Sequence, residues 1–488
     1  MLDAPRVNPE AAGRLRQALE AAGYTDERIR HALGVDPLQS GSHFDAQVYA
    51  RRIAEPAPLH SLVRLFILGQ PLPVDEARAA FDPLDLAGAE GLHLIRVHGE
   101  SVVRDLALTM TMGLWLTHST TSEDVPPAPD HVLGPGPASR TLAALTVRAP
   151  GGAALDLGTG CGIQGLLAAC HADRVVATDI NRRALDCAEL NALLNEVDRM
   201  DVREGSFFEP VEGETFDLVV SNPPFVVSPD TSFEYRDAGM RGDDVSREVV
   251  RGAAEHLSTG GFATVLCNWI VREGEQWQDA PARWVDGIGC DAMLIHSDSQ
   301  DPLTYAATWL TRTRGPEYGA ALDRWTDYHR SLGTDSIVTG AVVLRRRGGR
   351  PWVRADHVPA VNADSAGEHL LRLFRNQDYL ERVASDRELL DGRFRLVGDV
   401  VVDEVQVPHD GGWGTRESTV RLGTGLAFAG RSDPFVLRVM AGCDGTHRLS
   451  DLVRRAAREM GLEEPTVTPV VVEVVRQVLS LGFLEAPR

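Results

Sequence analysis

The strongest constraint on the fold is a rhythm. From about residue 138 to 347, short apolar runs alternate with helix-periodic segments. The first run, Ala153–Leu157, leads directly into the turn Asp156-Leu-Gly-Thr-Gly-Cys-Gly162. Glycines at 158, 160 and 162 let a backbone turn tightly and approach a ligand without a Cβ in the way. Further apolar runs lie at 174–178, 216–221, 262–268 and 338–345, with helical spacing over 165–170 and 181–194. Strands alternating with helices predict an α/β domain with a mainly parallel, doubly wound sheet, of which 338–345 is the last strand.

The flanks follow other patterns. Residues 9–34 read as short helices with Leu15, Leu19, Ile29 and Leu33 on the apolar face and Thr25-Asp26 opening the second. A helix near 62–68, a break at Gly69-Gln70-Pro71, a helix over 74–80 and a hairpin from 92–97 to 102–108 suggest a winged helix. The stretch 122–137, rich in Pro, Asp and Gly, reads as a loop. At the other end, helices over 434–440, 449–460 and 467–479 followed by Gly482-Phe483-Leu484 have the same winged-helix grammar. Expected boundaries are therefore 1–125 for an N-terminal domain, 126–350 for the α/β domain and 351–488 for a C-terminal α+β domain.

Composition excludes several classes. No run of eighteen apolar residues exists, and the first sixteen residues lack the apolar core of a signal peptide, so the cytoplasm is the expected compartment. The six cysteines form no C-x-x-C pair, which argues against structural zinc or a disulfide framework and for small buried hydrophobes. No metal site is expected, and His118 and His131 receive no role. A formal net charge of −21 argues against a nucleic-acid-coating protein. The chain contains no lysine, which removes any lysine Schiff base or lysine general base. Arg345-Arg346-Arg347 with Arg350 is the strongest basic cluster; a solvated strand end is the expectation, RNA phosphates the alternative. Trp269, Trp277, Trp284 and Trp309 are expected in the core rather than around a pocket.

Glycine turns serve dinucleotides, phosphates and S-adenosyl-L-methionine alike. Here the turn begins with an acid, Asp156, suited to a ligand carrying an ammonium and a sulfonium; a pyrophosphate would want a helix N-terminus instead. Asp179, ending the next strand, is placed to accept ribose hydroxyls, or else to cap the helix that begins near Asn181. The segment 131–139 either closes over the amino-acid end of the ligand or is a linker.

Asn222-Pro223-Pro224-Phe225 ends the strand 216–221. An amide or exocyclic amine nitrogen is a poor nucleophile, because its lone pair is delocalised and no side-chain base deprotonates it at neutral pH. Accepting hydrogen bonds from its N–H groups favours the charge that develops during attack. The Asn222 side-chain oxygen and the Pro223 carbonyl offer two acceptors. The prolines stiffen the turn, and, lacking N–H, are expected to leave no local donor competing for those oxygens. Phe225 offers a flat face for the acceptor plane.

Asp156-Leu-Gly-Thr-Gly-Cys-Gly, Asp179, Gly205-Ser-Phe-Phe-Glu-Pro, Phe216-Asp-Leu-Val-Val-Ser-Asn-Pro-Pro-Phe and Tyr235-Arg-Asp-Ala-Gly-Met-Arg-Gly242 resemble the class I methyltransferases of the HemK/PrmC type over roughly 130–270. The resemblance implies a Rossmann-like fold and S-adenosyl-L-methionine as cofactor. It implies cofactor contacts at Asp156, Gly158, Thr159, Gly160, Gly162, Asp179, Ile180, Ser206, Phe207 and Asn222, with Asn222, Pro223, Pro224 and Phe225 holding the acceptor. Ser206 stands where that family usually has an acid or amide, and Phe225 where its glutamine methyltransferases have Tyr. A protein glutamine is the leading acceptor. An RNA guanine or adenine is the second and a peptide or small natural product the third; a binding module with a vestigial pocket is the reading outside catalysis. No membrane partner is expected.

Overall fold

A computed structural model describes residues 7–34, 46–120, 128–230, 240–310, 313, 315–358, 366–409 and 411–487. Two compact units emerge, one from 1–142 with 149–356 and one from 143–148 with 357–488.

The first unit opens with helices Pro9–Ala22, Asp26–Leu33, Ala46–Arg52 and Pro58–Phe66. Asn8 and Thr25 cap the first two: the Asn8 side chain accepts from the N–H of Glu10 and Ala11, and Thr25 from Arg28. Leu15, Leu19, Ile29 and Leu33 are buried on their inner faces. Helices Val74–Phe81 and Leu86–Gly91 follow, and Leu72–Pro73 pairs with Ser101–Arg104, itself paired with Ile95–His98. The apolar run 102–108 is not one strand. The N–H groups of Asp105 and Leu106 both donate to the Leu94 carbonyl, turning the chain there. Leu106–Thr111 then forms a separate antiparallel ribbon with Leu114–Ser119.

The centre of this unit is an eight-stranded sheet. Its strands are β1 (Ala153–Leu157), β2 (Arg174–Asp179), β3 (Met200–Glu204), β4 (Phe216–Ser221), β5 (Leu257–Arg272), β6 (Cys290–Gln300), β7 (Thr334–Arg346) and β8 (Val353–His357). They lie in the order β3-β2-β1-β4-β5-β7-β6-β8. The pairs from β3 through β5 are parallel, while β7 runs antiparallel to both β5 and β6. An all-parallel dinucleotide fold has no such reversed strand. The last strand is β8, not 338–345, because the chain returns to pair at the sheet edge. Ala263 to Ile270 of β5 are all buried, the pattern of a central strand covered on both faces.

Helices α1 (Ile163–Ala169), α2 (Arg182–Leu194) and α3 (Asp244–Glu255) join the parallel strands, and α4 (Asp279–Val285), α5 (Pro302–Trp309) and α6 (Pro316–Ser331) follow. Trp269 and Trp284 pack inside, while Trp277 and Trp309 are partly buried: Trp269 is fully buried, donates from Nε1 to the Trp277 carbonyl at 2.6 Å, and meets Trp284 edge-on at 6.2 Å. Arg345, Arg346 and Arg347 are not a freely solvated strand end, while Arg350 is exposed. Arg345 donates to the fully buried Asp291 at 2.7 Å, Arg347 lies 2.7 Å from the same carboxylate, and Arg346 donates to the Ala254 carbonyl. A buried carboxylate needs such partners, since removing one would leave an uncompensated charge. All six cysteines are free; five are buried, and Cys170 is exposed, against expectation.

In the second unit, helices Ala366–Arg382, Asp386–Asp391, Pro434–Ala441, Leu449–Met460 and Glu464–Ser480 surround a core with Phe394, Phe435 and Phe483. Leu484–Glu485 pairs with Arg395–Leu396. Val400–His409 and Gly412–Leu422 form a long ribbon with Ala429–Arg431 at its side. The Asn376 amide donates to the carbonyls of Leu479 and Leu484 and fixes the chain end.

Candidate active site

Strand order reverses between β1 and β4, and the C-terminal ends of neighbouring strands part there to leave a crevice. The Gly158 and Thr159 N–H groups both donate to the Thr178 carbonyl at 2.9 Å, which ties the glycine turn to the end of β2. Gly158 and Gly160 have φ of +71° and +55°, and a Cβ on either would meet nothing within 4 Å. Gly162, at φ +84°, lets α2 approach: a Cβ there would stand 3.1 Å from Ala188 Cα. Gly162 thus serves packing and does not border the crevice.

A cleft of about 410 Å³ occupies the crevice, bordered by Asp156, Gly158, Thr159, Gly160, Gln164, Asp179, Ile180, Asn222 and Pro224. The segment His131–Ser139 forms its opposite wall. A second, smaller cavity of about 190 Å³ adjoins it. Gly158, Asp179, Ile180 and Pro224 border both, and Gly205, Ser206, Phe207, Pro223 and Val249 are among those that border only the smaller one.

The two acids are held in place from behind. Asp156 Oδ2 accepts from Thr159 Oγ1 at 2.6 Å and from Gly165 N at 2.7 Å. Burial pushes its carboxyl up to about 6, against the pull of those two bonds. Asp179 Oδ2 accepts from Gly160 N and Oδ1 from Asn181 N, each at 2.9 Å. Burial raises this carboxyl too, opposed by its backbone donors. The helix cap is Asn181, whose side chain accepts from Arg183 N and Ala184 N, so Asp179 is not the cap of α2. Ile180 exposes 61% of its surface, an unusual position for isoleucine that gives both cavities an apolar wall.

Asn222 carries the distinctive feature. Its Oδ1 is buried and has no hydrogen-bond partner. A buried acceptor left open costs about 1–3 kcal/mol, so such atoms are rare. The Pro223 carbonyl differs from expectation: the Phe225 N–H donates to it at 2.7 Å, so a local donor does compete, one residue beyond the prolines. One lone pair of that carbonyl remains. Phe225 is half-buried and is not among the residues bordering either cavity. Beyond it, Val227 N donates to Tyr305 Oη at 3.1 Å, and Asp230 accepts from Trp325 Nε1 at 2.9 Å. The stretch 235–239 of the Tyr235–Gly242 resemblance lies outside the described residues.

Sequence reasoning passed over Gln164 and gave His131 no role beyond its place in the segment 131–139; both stand on the cleft wall. Gln164 Nε2 donates to the Ser139 carbonyl at 2.8 Å and joins α1 to the opposite wall. A glutamine two residues after the last glycine of the turn, at the start of an apolar helix, was the available signal.

Three family models match parts of the chain: Methyltransferase small domain over 136–273, and two domains of unknown function, DUF7059 over 21–106 and DUF7782 over 371–486. A release factor glutamine methyltransferase of Xylella fastidiosa is 36% identical over 126 residues, 23% of this chain and 46% of the relative. A ribosomal protein uL3 glutamine methyltransferase of Bradyrhizobium diazoefficiens is 33% identical over 27% of this chain and 46% of the relative. A ribosomal RNA small subunit methyltransferase C of Erwinia tasmaniensis is 29% identical over 24% and 31%. The chain spans under half the length of these curated relatives. Among solved structures, Trm5b from Pyrococcus abyssi aligns with 52% of this chain and 62% of its own at 16% identity and a TM-score of 0.31. The α/β domain around the crevice is a class I S-adenosyl-L-methionine-dependent methyltransferase domain of the HemK type.

Proposed function

We propose that the chain transfers a methyl group from S-adenosyl-L-methionine to the side-chain amide nitrogen of a glutamine in a protein. One observation carries the reading: Asn222 Oδ1 is a buried acceptor without a partner, on the border of a cleft whose other residues suit the cofactor. An N–H of the acceptor amide fills that valence.

The residues fit the cofactor. Asp156 gives a carboxylate for the ammonium, Asp179 a rigid acceptor for ribose hydroxyls at the junction of the two cavities, and Ile180 and Phe207 apolar faces for a base in the smaller one, with Ser206 as its polar group. Bound there, the cofactor supplies an electrophilic methyl group on sulfur. Asn222 Oδ1 and the free lone pair of Pro223 O hold the amide N–H groups, so positive charge on nitrogen is favoured as its bond to carbon forms and the carbon–sulfur bond breaks. The proton then leaves to solvent. Orientation and fixed dipoles do most of the work.

The outer regions, divided from the α/β domain near 125 and 350, are winged-helix-like units that hold the acceptor protein, and the cytoplasm is where that acceptor is met. The second reading, an RNA base, draws on Phe225 and the ribosomal RNA methyltransferase relative; the engagement of Arg345 and Arg347 by Asp291 counts against it. Labelled cofactor with cell extract, then digestion by protease or by RNase, separates the two. Label released by protease alone supports a protein acceptor; label released by RNase alone overturns it.

A further inference from the structure

We infer that Asn191 is a positioning residue for the cofactor cleft, through which the N-terminal ribbon governs cofactor affinity; the inference rests on the methyl-transfer reading above. Asn191 lies inside α2 and is fully buried, although asparagine is a weak helix former. Its amide acts as the peptide group of a missing strand. Oδ1 accepts from Thr117 N at 2.7 Å and Thr117 Oγ1 at 2.8 Å, and Nδ2 donates to the Thr117 carbonyl at 3.0 Å.

One turn on, Asn195 repeats the device: Oδ1 accepts from Trp115 N at 3.0 Å and Nδ2 donates to Trp115 O at 2.8 Å. Two residues the other way, Ser119 N donates to Val132 O at 3.1 Å while Val132 N donates to Ser119 Oγ at 3.0 Å. The outer edge of an isolated two-stranded ribbon, at Trp115, Thr117 and Ser119, is thus bonded throughout. Such an edge would otherwise present unpaired groups.

What separates Asn191 from Asn195 is where the remaining bond goes: Asn195 Nδ2 also donates to the Asn191 carbonyl at 2.7 Å, within the helix. Asn191 Nδ2 also donates at 2.8 Å to the carbonyl of Cys161, in the glycine turn and on the cleft border. Val132, the ribbon's other contact, stands on the opposite wall of the same cleft. The ribbon therefore touches both walls, one directly and one through a single carboxamide. Coupling of this kind is reciprocal: if the ribbon shapes the cleft, a ligand in the cleft steadies the ribbon.

The test uses the full chain and S-adenosyl-L-methionine, with affinity read by calorimetry and stability by thermal unfolding. Asn191→Ala is expected to weaken cofactor binding about tenfold or more, because it leaves the Cys161 carbonyl and the Thr117 groups unpaired. Asn195→Ala is expected to lower the melting temperature but weaken binding less than about threefold, since Asn195, although its Nδ2 also donates to the Asn191 carbonyl at 2.7 Å, makes no bond to the glycine turn and leaves the Asn191 carboxamide in place. Should Asn191→Ala fail to fold, Thr117→Val removes one bond to Asn191, and hydrogen exchange on the unaltered chain reads the coupling directly. Cofactor should then slow exchange at the Trp115 and Thr117 amides. Unchanged affinity in Asn191→Ala, equal losses in the two asparagine variants, or exchange indifferent to cofactor each overturn the inference. Failure of the unaltered chain to bind S-adenosyl-L-methionine overturns the methyl-transfer reading instead.

Discussion

The two ends of the crevice treat their polar groups in opposite ways. At the proposed cofactor end, Asp156 and Asp179 each hold two donors before any ligand arrives. At the proposed acceptor end, Asn222 Oδ1 is buried and open. Rigid carboxylates suit a ligand whose binding is needed on every turnover, while an open carboxamide oxygen suits a group whose charge changes during reaction. Open buried atoms alone do not mark a site. Asn268 Oδ1 and both ring nitrogens of His329 are also buried without partners, yet neither residue borders the two cavities. Position on the crevice, added to the missing partner, singles out Asn222.

The largest expected effect comes from removing the open end. Asn222→Ala should lower turnover by about 10²–10³, the loss seen when one preorganised group is deleted at a developing charge. Cofactor affinity should stay within about threefold. If turnover and affinity fall together, the two ends do not work separately and the comparison fails. Next comes Asp179→Ala, which on the proposed reading leaves ribose hydroxyls unpaired and frees the N–H groups of Gly160 and Asn181. Cofactor binding should weaken about tenfold to a hundredfold. Equal binding by variant and parent in a direct titration would remove the ribose role.

Much of this contrast could be read in the sequence, and what could not has physical causes. The glycine turn, Asp179 and Asn222-Pro-Pro-Phe are chemically unusual and sit at the ends of strongly apolar strands, so type and position agree. Strand β3, Met-Asp-Val-Arg-Glu, is a sheet edge with no fully buried residue and left no apolar run to detect. Strand β6 buries only its first seven positions and ends in polar ones. The bond from Phe225 N to the Pro223 carbonyl depends on the turn after the motif, which proline counting does not specify. Asparagine is a weak helix former, and nothing near position 191 in the sequence marks its partners, because Thr117 and Cys161 are far from it along the chain. The arginine run looked like a surface feature because its partner, Asp291, lies on another strand.

Asp156 sharpens the comparison through pH. Its carboxyl is pushed up to about 6, so between about pH 4 and 6 the folded chain holds a proton that the unfolded chain has released. Its contribution to stability is present below that window and is lost as pH rises through 6. Asp156→Asn should therefore match or exceed the parent in stability at pH 8, by up to about 1–2 kcal/mol. The same substitution should weaken cofactor binding about tenfold at pH 8, because a neutral amide replaces the carboxylate facing an ammonium. In the parent, affinity should drop as pH falls below about 6; a flat titration profile would show that the ionised form of Asp156 does not meet the ligand.

The smallest effect tests whether an open buried atom away from the crevice has any role in the site. His329 is fully buried among the rings of Tyr305, Trp325 and Tyr328, and burial lowers its imidazole to about 4. Between about pH 6.5 and 4 the unfolded chain takes up a proton that the folded chain refuses. The His329 contribution is thus intact above 6.5 and is lost as pH falls through that window. Phenylalanine fills the same space without a polar atom, so His329→Phe should equal or exceed the parent by about 1 kcal/mol at pH 8 and by more at pH 5. Urea unfolding at the two pH values measures the difference, and methyl transfer at pH 8 should stay within about twofold of the parent. A large loss of transfer at intact stability would bring His329 into the acceptor end, and the line drawn between open atoms on the crevice and open atoms beneath it would have to be redrawn.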